Sequence, residues 1–290
     1  MQNVVELSSA KSQKIHWNTI IAVTGFHIGA VAAFFTFSWQ NLAVAVLLWW
    51  VANSLGVGLG YHRLLTHRGF QSPKWFEYLL TFFGTMALQS GAISWVTTHR
   101  LHHAFTDTDK DPHSPAGGFW WSHIGWIFKG TAQIQPEATM MRYSPDLMKD
   151  RVHRVMNQYY WVTSILTGVA CFLIGGWGML FWAVGLRTVF GWHTTWFVNS
   201  VTHLWGSRRF ETRDTSTNNG IVAALNFGEG WHNNHHAFPR SARHGLTWKE
   251  FDINWLQIKT LEKLGLATDI YAYDLNEGKE IHGKPIKQAA

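Results

Sequence analysis

Residues 15–62 read IHWNTIIAVTGFHIGAVAAFFTFSWQNLAVAVLLWWVANSLGVGLGYH, and none of them is Lys, Arg, Asp or Glu. A transmembrane helix needs about 20 apolar residues, so a charge-free stretch of this length holds two. Trp39-Gln40-Asn41 is its polar interruption, which predicts one span over 17–39 and a second over 42–60. Another long stretch, Val155 to Gly206, carries Arg187 as its one such residue and breaks at Gly175-Gly176-Trp177-Gly178. That predicts spans over 159–174 and 179–202. Both breaks are uncharged, while the Lys and Arg lie at Lys11 and Lys14, in the 61–154 segment and beyond 206. Positive charge marks the cytosolic side, so both termini and the 61–154 segment are expected there. Trp39, Trp49, Trp50, Trp177 and Trp182 belong at or near the interfaces.

The chain thus reads as an all-α integral membrane protein, a single domain over 1–290. Four transmembrane helices carry a cytosolic helical cap (61–154 and 203–265), followed by a tail over 266–290. Composition agrees. The chain has 18 Trp and 19 Phe, and 14% of its residues are charged. The net charge of +6 therefore suits membrane lipid or an anionic substrate rather than nucleic acid. Seventeen His and the charged middle section explain why the mean hydropathy is only −0.07. The lone cysteine, Cys171, excludes a disulfide framework and thiolate metal sites. The first apolar run is too long for a cleaved signal peptide. Arg187 is costly inside a span unless it reaches an interface or a backbone carbonyl; a polar contact beside a substrate path is the alternative.

Three histidine groups stand out: His62-Arg-Leu-Leu-Thr-His67, His99-Arg-Leu-His102-His103 and His232-Asn-Asn-His235-His236, with Asn199 and His203 at the end of the last span. In the second and third groups the spacing i, i+3, i+4 puts three imidazoles on one helical face; Asn199 and His203 are also i, i+4. The first group, i and i+5, is not one face of an α-helix and suits a helix end where the chain bends. All four elements reach the cytosolic face, so nine histidines can converge. Neutral imidazole suits Fe, Zn, Cu and Ni, and nine ligands are too many for one ion and right for two. An iron pair fits oxygen chemistry best. Asp107, Asp109, Asp111 and Glu229 are placed to accept the second ring N–H of such ligands. The apolar run Tyr78–Val96 cannot then be a span, since it would put the histidines before and after it on opposite sides; it is expected to lie partly in the interface. His16, His27, His193 and His282 read as structural or surface residues. His113, His123, His153 and His244 lie in the cytosolic part and could sit behind the ligating histidines, though no spacing argues for it.

With these segments in hand, the sequence resembles the membrane fatty-acyl desaturases of the stearoyl-CoA and cyanobacterial Δ9 type. The resemblance extends beyond the three groups to Gly60-Tyr-His-Arg-Leu, His102-His-Ala-Phe-Thr-Asp, Asp111-Pro-His-Ser, Ser122-His-Ile-Gly-Trp, Asn199-Ser-Val-Thr-His203, Asn226-Phe-Gly-Glu-Gly-Trp-His-Asn-Asn-His-His and Ser241-Ala-Arg-His-Gly, and it covers residues 40 to 265. It implies two Fe2+ ions held by His62, His67, His99, His102, His103, His203, His232, His235 and His236, with Asn199 reaching one metal through water. It also implies O2 as co-substrate, two hydrogens taken from adjacent methylenes of a saturated acyl chain at Δ9, and a cis double bond.

Two electrons would come from a separate donor of ferredoxin or cytochrome b5 type, because no His-Pro-Gly-Gly heme segment and no fused flavin is seen. The acyl carrier is CoA or a lipid: animal acyl-CoA enzymes have Arg-Asp where this chain has Thr97-Thr98. Arg68, Lys74, Arg100, Lys110 and Lys129 could meet a carrier headgroup or anionic lipid. Val46, Trp50 and Asn53 are expected on the face leading to His62, where a bulky Trp50 would shorten a substrate tunnel. The short termini point to a bacterial inner membrane. A sister lipid hydroxylase or monooxygenase would use the same metals, whereas a membrane metal-binding protein would place His or acidic residues within the spans. No HExxH segment of a zinc protease is found.

Overall fold

The computed structural model describes residues 14–129, 135–275 and 279–280; Lys11, His282 and most of the expected tail lie outside them. Among the described residues, three helices are long and apolar enough to cross a membrane: α1 (Trp17–Thr36), α2 (Trp39–Thr66) and α9 (Val162–Leu204). Between them lie α3 (Lys74–Thr85), α4 (Ala92–Phe105) and the short helices α5 (Phe119–His123), α6 (Glu137–Tyr143), α7 (Pro145–Met148) and α8 (Arg151–Gln158). After α9 come α10 (Gly220–Leu225), α11 (His232–Ala237) and α12 (Ile253–Lys263). A two-residue strand pair, Tyr273–Asp274 with Lys279–Glu280, is the only strand pairing among the described residues.

The chain turns between α1 and α2 at Phe37–Ser38, just before the expected Trp39-Gln40-Asn41. Ser38 is extended, and its Oγ accepts the Asn41 N–H at 3.1 Å, an N-cap. Asn41 Nδ2 donates back to the Thr36 carbonyl at 2.9 Å. The polar residues of the break therefore start the second helix rather than interrupt it.

α9 is far longer than one crossing, and Gly175–Gly176 resolves this. Gly176 has φ +62° and ψ −156°, backbone that only glycine adopts at little cost. The chain reverses there. A Cβ on Gly168 in the first arm would lie 3.4 Å from Leu180 and 3.7 Å from Val184 in the second, so the arms are antiparallel neighbours. The second arm also meets α1, where Gly185 lies so close to Gly29 that an added Cβ would stand 2.9 Å from backbone. Small residues permit such helix contacts in lipid.

The apolar run Tyr78–Val96 is not one helix. α3 ends at Thr85, Leu88 and Ser90 take φ of 52° and 74°, and α4 starts at Ala92; 12 and 14 residues are each short of a crossing. Arg187, 2% exposed, donates to the Ala183 carbonyl at 2.9 Å and to Met86 at 2.6 Å, so it reaches backbone carbonyls and caps the end of α3.

α2 runs past Gly60, its expected end. From Trp50 to Thr66 it winds with wide i→i+5 turns, and the His67 N–H donates to the His62 carbonyl at 3.1 Å. The wider winding turns Trp50 away from the expected face: its Nε1 donates to Gln257 on α12 at 3.1 Å. Asn53 Nδ2 donates to the Gly191 carbonyl at 3.1 Å, and Val46 is exposed. α3 lies against this wide segment, the ring of Tyr61 on Gly84 and Gly56 against the Gly84 backbone.

Arg63, buried near the C-terminal end of α2, ties that end to the segments around Glu229, Ala242 and Asp252. It donates to Glu229 at 2.9 and 3.1 Å, to Asp252 at 2.9 and 3.1 Å and to the Ala242 carbonyl at 2.7 Å. The first part of the expected tail also belongs to this region: Tyr271 donates to the Gly69 carbonyl, Ala242 to that of Tyr271, and Ile270 and Ala272 are buried.

Candidate metal centre

The wide turn at the end of α2 explains the i, i+5 spacing. With i→i+5 hydrogen bonding, His62 and His67 come onto the same side, their ring centroids 4.9 Å apart. The chain need not bend to bring them together. α4 supplies His99, His102 and His103, the end of α9 supplies His203, and α11 supplies His232, His235 and His236.

The ring nitrogens fall into two clusters. His62, His67, His99, His103 and His235 form one and His102, His203, His232 and His236 the other, all ligand atoms within 4.8 Å of one another in each. In the first, Nε2 of His62 is 3.1 Å from that of His235, His67 3.1 Å from His99, His99 3.1 Å from His103, and His103 3.0 Å from His235. In the second, His203 and His232 are 3.0 Å apart and His102 and His236 3.4 Å.

The opposite ring edges decide what these contacts are. Nδ1 of His62 meets Glu229 at 2.6 Å, that of His102 meets Asp111 at 2.9 Å, that of His236 meets Asp214 at 2.9 Å, and that of His203 lies 3.2 Å from Asp107. An imidazole donating Nδ1–H to a carboxylate presents a bare lone pair at Nε2. His102 and His236 therefore aim lone pairs at each other, which is repulsive unless a cation lies between them. Ligands at about 2.0–2.1 Å from one ion, roughly at right angles, stand about 3 Å apart. The residues fit a metal in each cluster.

The electrostatics agree. Burial first, then neighbouring imidazoles, hold His67, His99, His103, His232 and His235 well below their ordinary pKa, hence neutral and able to ligate. Burial lowers His236 to about 4 against the pull of Asp214. Burial would raise Glu229, but Arg63, His244 and His62 hold it well below the usual carboxylate range. Burial likewise opposes ionisation of Asp111, and His102 and His113 more than reverse it.

Of the four acids expected beside the site, Asp107, Asp111 and Glu229 are there and Asp109 has no such contact. Asp214 was missed. It sits in a loop remote in sequence from the three groups, held by Thr212 and Ser216, and no spacing marks it. His244, marked by no spacing but part of the Ser241-Ala-Arg-His-Gly segment, is also there; its ring lies 4.5 Å from His235 and its Nδ1 3.2 Å from Glu229. The His113 ring lies 4.4 Å from that of His102, tilted by 34°. Asn199 lines a small cavity beside His99. Arg100, expected at a carrier headgroup, is instead spent on the Leu65, Thr66 and Tyr143 carbonyls and Asp146, which fixes the end of α2 beside His67.

The sequence profile of the family described as fatty acid desaturase matches residues 37–259. The chain belongs to the fatty acid desaturase family. This desaturase is 46% identical over 270 residues to the sn-1 stearoyl-lipid 9-desaturase of Anabaena variabilis, covering 92% of this chain and 98% of that one. It is 44% identical to the sn-2 palmitoyl-lipid 9-desaturase of Nostoc sp. (strain 36), over 89% and 91% of the two chains. An acyl-CoA 5-desaturase of Anemone leveillei is 45% identical, over 88% and 80%. The chain is a fatty-acyl desaturase, an oxidoreductase.

A second histidine set in this desaturase does not join the clusters. His27 Nε2 meets His193 at 3.1 Å, His193 Nδ1 meets His123 at 2.9 Å, and His123 Nδ1 meets Ser200 at 3.0 Å. Burial first, then His193, lowers His123 to about 4. A histidine kept neutral by the fold binds fewer protons than its unfolded counterpart between its folded and ordinary pKa values. Stability therefore rises with pH across that window. The melting temperature of the protein in detergent is expected to fall between pH 6.5 and about 4, and His123→Gln to flatten that part of the profile. An unchanged slope in the variant would remove His123 from the account.

Proposed function

We propose that this protein is an O2-dependent desaturase that places a cis double bond at Δ9 of a saturated acyl chain. Two irons are held by the nine histidines, five at one and four at the other, with Asn199 reaching one through water. The single observation that carries this reading is the pair of clusters whose Nε2 atoms converge while carboxylates take Nδ1. Names of the relatives support Δ9 and acyl chains carried on lipid or CoA. The antiparallel arms of α9 with α1 and α2 support four spans, and the placement of Lys and Arg away from the two uncharged breaks supports cytosolic termini and a cytosolic metal site; we take the membrane to be a bacterial inner membrane. A separate donor of ferredoxin or cytochrome b5 type supplies electrons.

When bound, the irons supply the oxidant that no side chain provides for an unactivated C–H bond. The balance is one acyl –CH2–CH2– with O2, two electrons and two protons, giving –CH=CH– and two waters. The chain's own residues supply the rest. Asp107, Asp111, Asp214 and Glu229 fix imidazole tautomer and orientation. Trp95, stacked 5.0 Å from His99, and Trp196 wall the cavity beside Asn199 with apolar surface and keep water from the reacting methylenes.

The test is the fatty-acid profile, by gas chromatography–mass spectrometry, of a host expressing the chain or its His102→Ala/His103→Ala variant, with a donor present. The unsubstituted chain is expected to yield a new monounsaturated chain, bond at Δ9, and the variant none, because it removes one ligand from each cluster. Hydroxylated products would move the reading to a sister monooxygenase.

A further inference from the structure

A cleft of about 760 Å³ runs along the outside of α1 and the first arm of α9, within the roughly 300–1,000 Å³ typical of small-molecule sites. Its walls are apolar and face outward: Ile165, Val169 and Leu173 are 54%, 53% and 78% exposed. One end, beside His16, Asn18 and Tyr160, is polar and lies where α1 and α9 begin. The cleft is not a dead-end surface furrow. Val23, Leu88 and Trp192 line both it and the inner cavity that reaches His99 and Asn199. Leu88 sits in the left-handed turn between α3 and α4, and the Trp192 indole is fixed by the Ala87 carbonyl at 3.0 Å. Those two side chains and Val23 stand between lipid and the metal centre.

The cationic side of the cap points the same way. Arg68 is paired with Asp146, Lys74 with Glu77 and Asp150, and Arg100 with Asp146. Three of the cations nearest the histidine groups are thus already engaged within the chain rather than turned toward a carrier phosphate.

We propose that the substrate reaches the metals sideways, from the bilayer. The acyl chain of a membrane glycerolipid slides between α1 and the first arm of α9 and past Leu88 and Trp192, while its headgroup stays at the interface beside His16, Asn18 and Tyr160. The proposal rests on the desaturase reading above and names its acyl carrier and route.

Blocking the cleft tests it. Ala22→Trp and Val169→Trp place an indole in the cleft; Ile28→Trp, at a 66% exposed position of α1 outside it, is the control. Each iron-loaded protein is placed with its donor in dioleoyl-phosphatidylcholine liposomes containing stearoyl-oleoyl phosphatidylglycerol, or receives stearoyl-CoA from the water. A bilayer phospholipid with a diazirine on its acyl chain is photolysed in parallel. The two cleft variants are expected to lose glycerolipid turnover on the order of a hundredfold, as mispositioned substrates do, with iron content unchanged. The photolabel is expected at Leu88 and Trp192 in the unsubstituted protein and not in the cleft variants.

Cleft variants that turn over glycerolipid as the control does would overturn the route. So would an unsubstituted protein with no label at Leu88 and Trp192, whether or not the variants fold, or one that converts stearoyl-CoA alone. In each case a double bond made by the unsubstituted protein leaves the desaturase reading standing. No double bond from either substrate counts against that reading, and the labelling still decides the route.

Discussion

Glu229→Gln is expected to destabilise the protein toward the lower end of the ~3–5 kcal/mol seen when one partner of a buried ion pair is removed, and to empty the five-histidine cluster. Glu229 is one of two carboxylates on the buried Arg63; the other, Asp252, stays. The same carboxylate takes Nδ1 of His62, lies against His244 and accepts from Asn254 at 2.7 Å. Glutamine keeps the shape but not the charge, and its amide brings a donor to where Arg63 and His62 already donate. Loss of a carboxylate behind a ligating histidine costs about 10–100-fold in metal affinity. Melting in detergent and iron per chain by plasma mass spectrometry measure both effects. A variant with unchanged melting and full iron would separate Arg63 from the metal centre.

Gly56→Ala is expected to destabilise by about 3 kcal/mol or more, at or beyond the usual range for overpacking, and to disturb His62. A Cβ there would stand 2.3 Å from the Gly84 nitrogen and 2.4 Å from the Phe83 carbonyl carbon. Backbone cannot rotate aside as a side chain does, so α3 must move off the wide part of α2. His62 lies on that same wide segment. Melting and the iron content of the purified variant report the two consequences, and a variant matching the unsubstituted chain in both would show that α3 can shift freely. Gly176→Ala is the contrast: nothing lies within 4 Å of its Cβ site, so its cost is only the backbone, φ +62° with ψ −156°, a region essentially reserved to glycine, about 1–3 kcal/mol.

The histidine groups were legible because their spacing is a property of one helix at a time. His99, His102 and His103, or His232, His235 and His236, share a face whatever the rest of the fold does. What stayed illegible depended on winding and on long-range contact. The i, i+5 pair gave no hint that α2 itself widens, and it is the widened segment that carries Trp50 to Gln257. Asp214 and His244 reach the centre through loops whose course no periodicity encodes. Arg100 looked available because side-chain charge is visible in sequence and its carbonyl partners are not. The charge-free stretches located the apolar helices, but a polar residue at a break reads the same whether it interrupts a helix, as expected of Asn41, or helps start one.

The division of ligands between clusters sets an order of events during synthesis. The five-histidine cluster lacks His235, and the four-histidine cluster lacks His232 and His236, until residues 232–236 have been made. Both apolar pairs of helical arms precede those residues. The growing chain can therefore settle its hydrophobic helices before either cluster exists in complete form, and an ion that meets the nascent protein finds only partial sets with weaker hold. If the clusters hold metal as proposed, a complete ligand set is offered only after the helices have been made, and imidazole ligands by themselves do not exclude zinc.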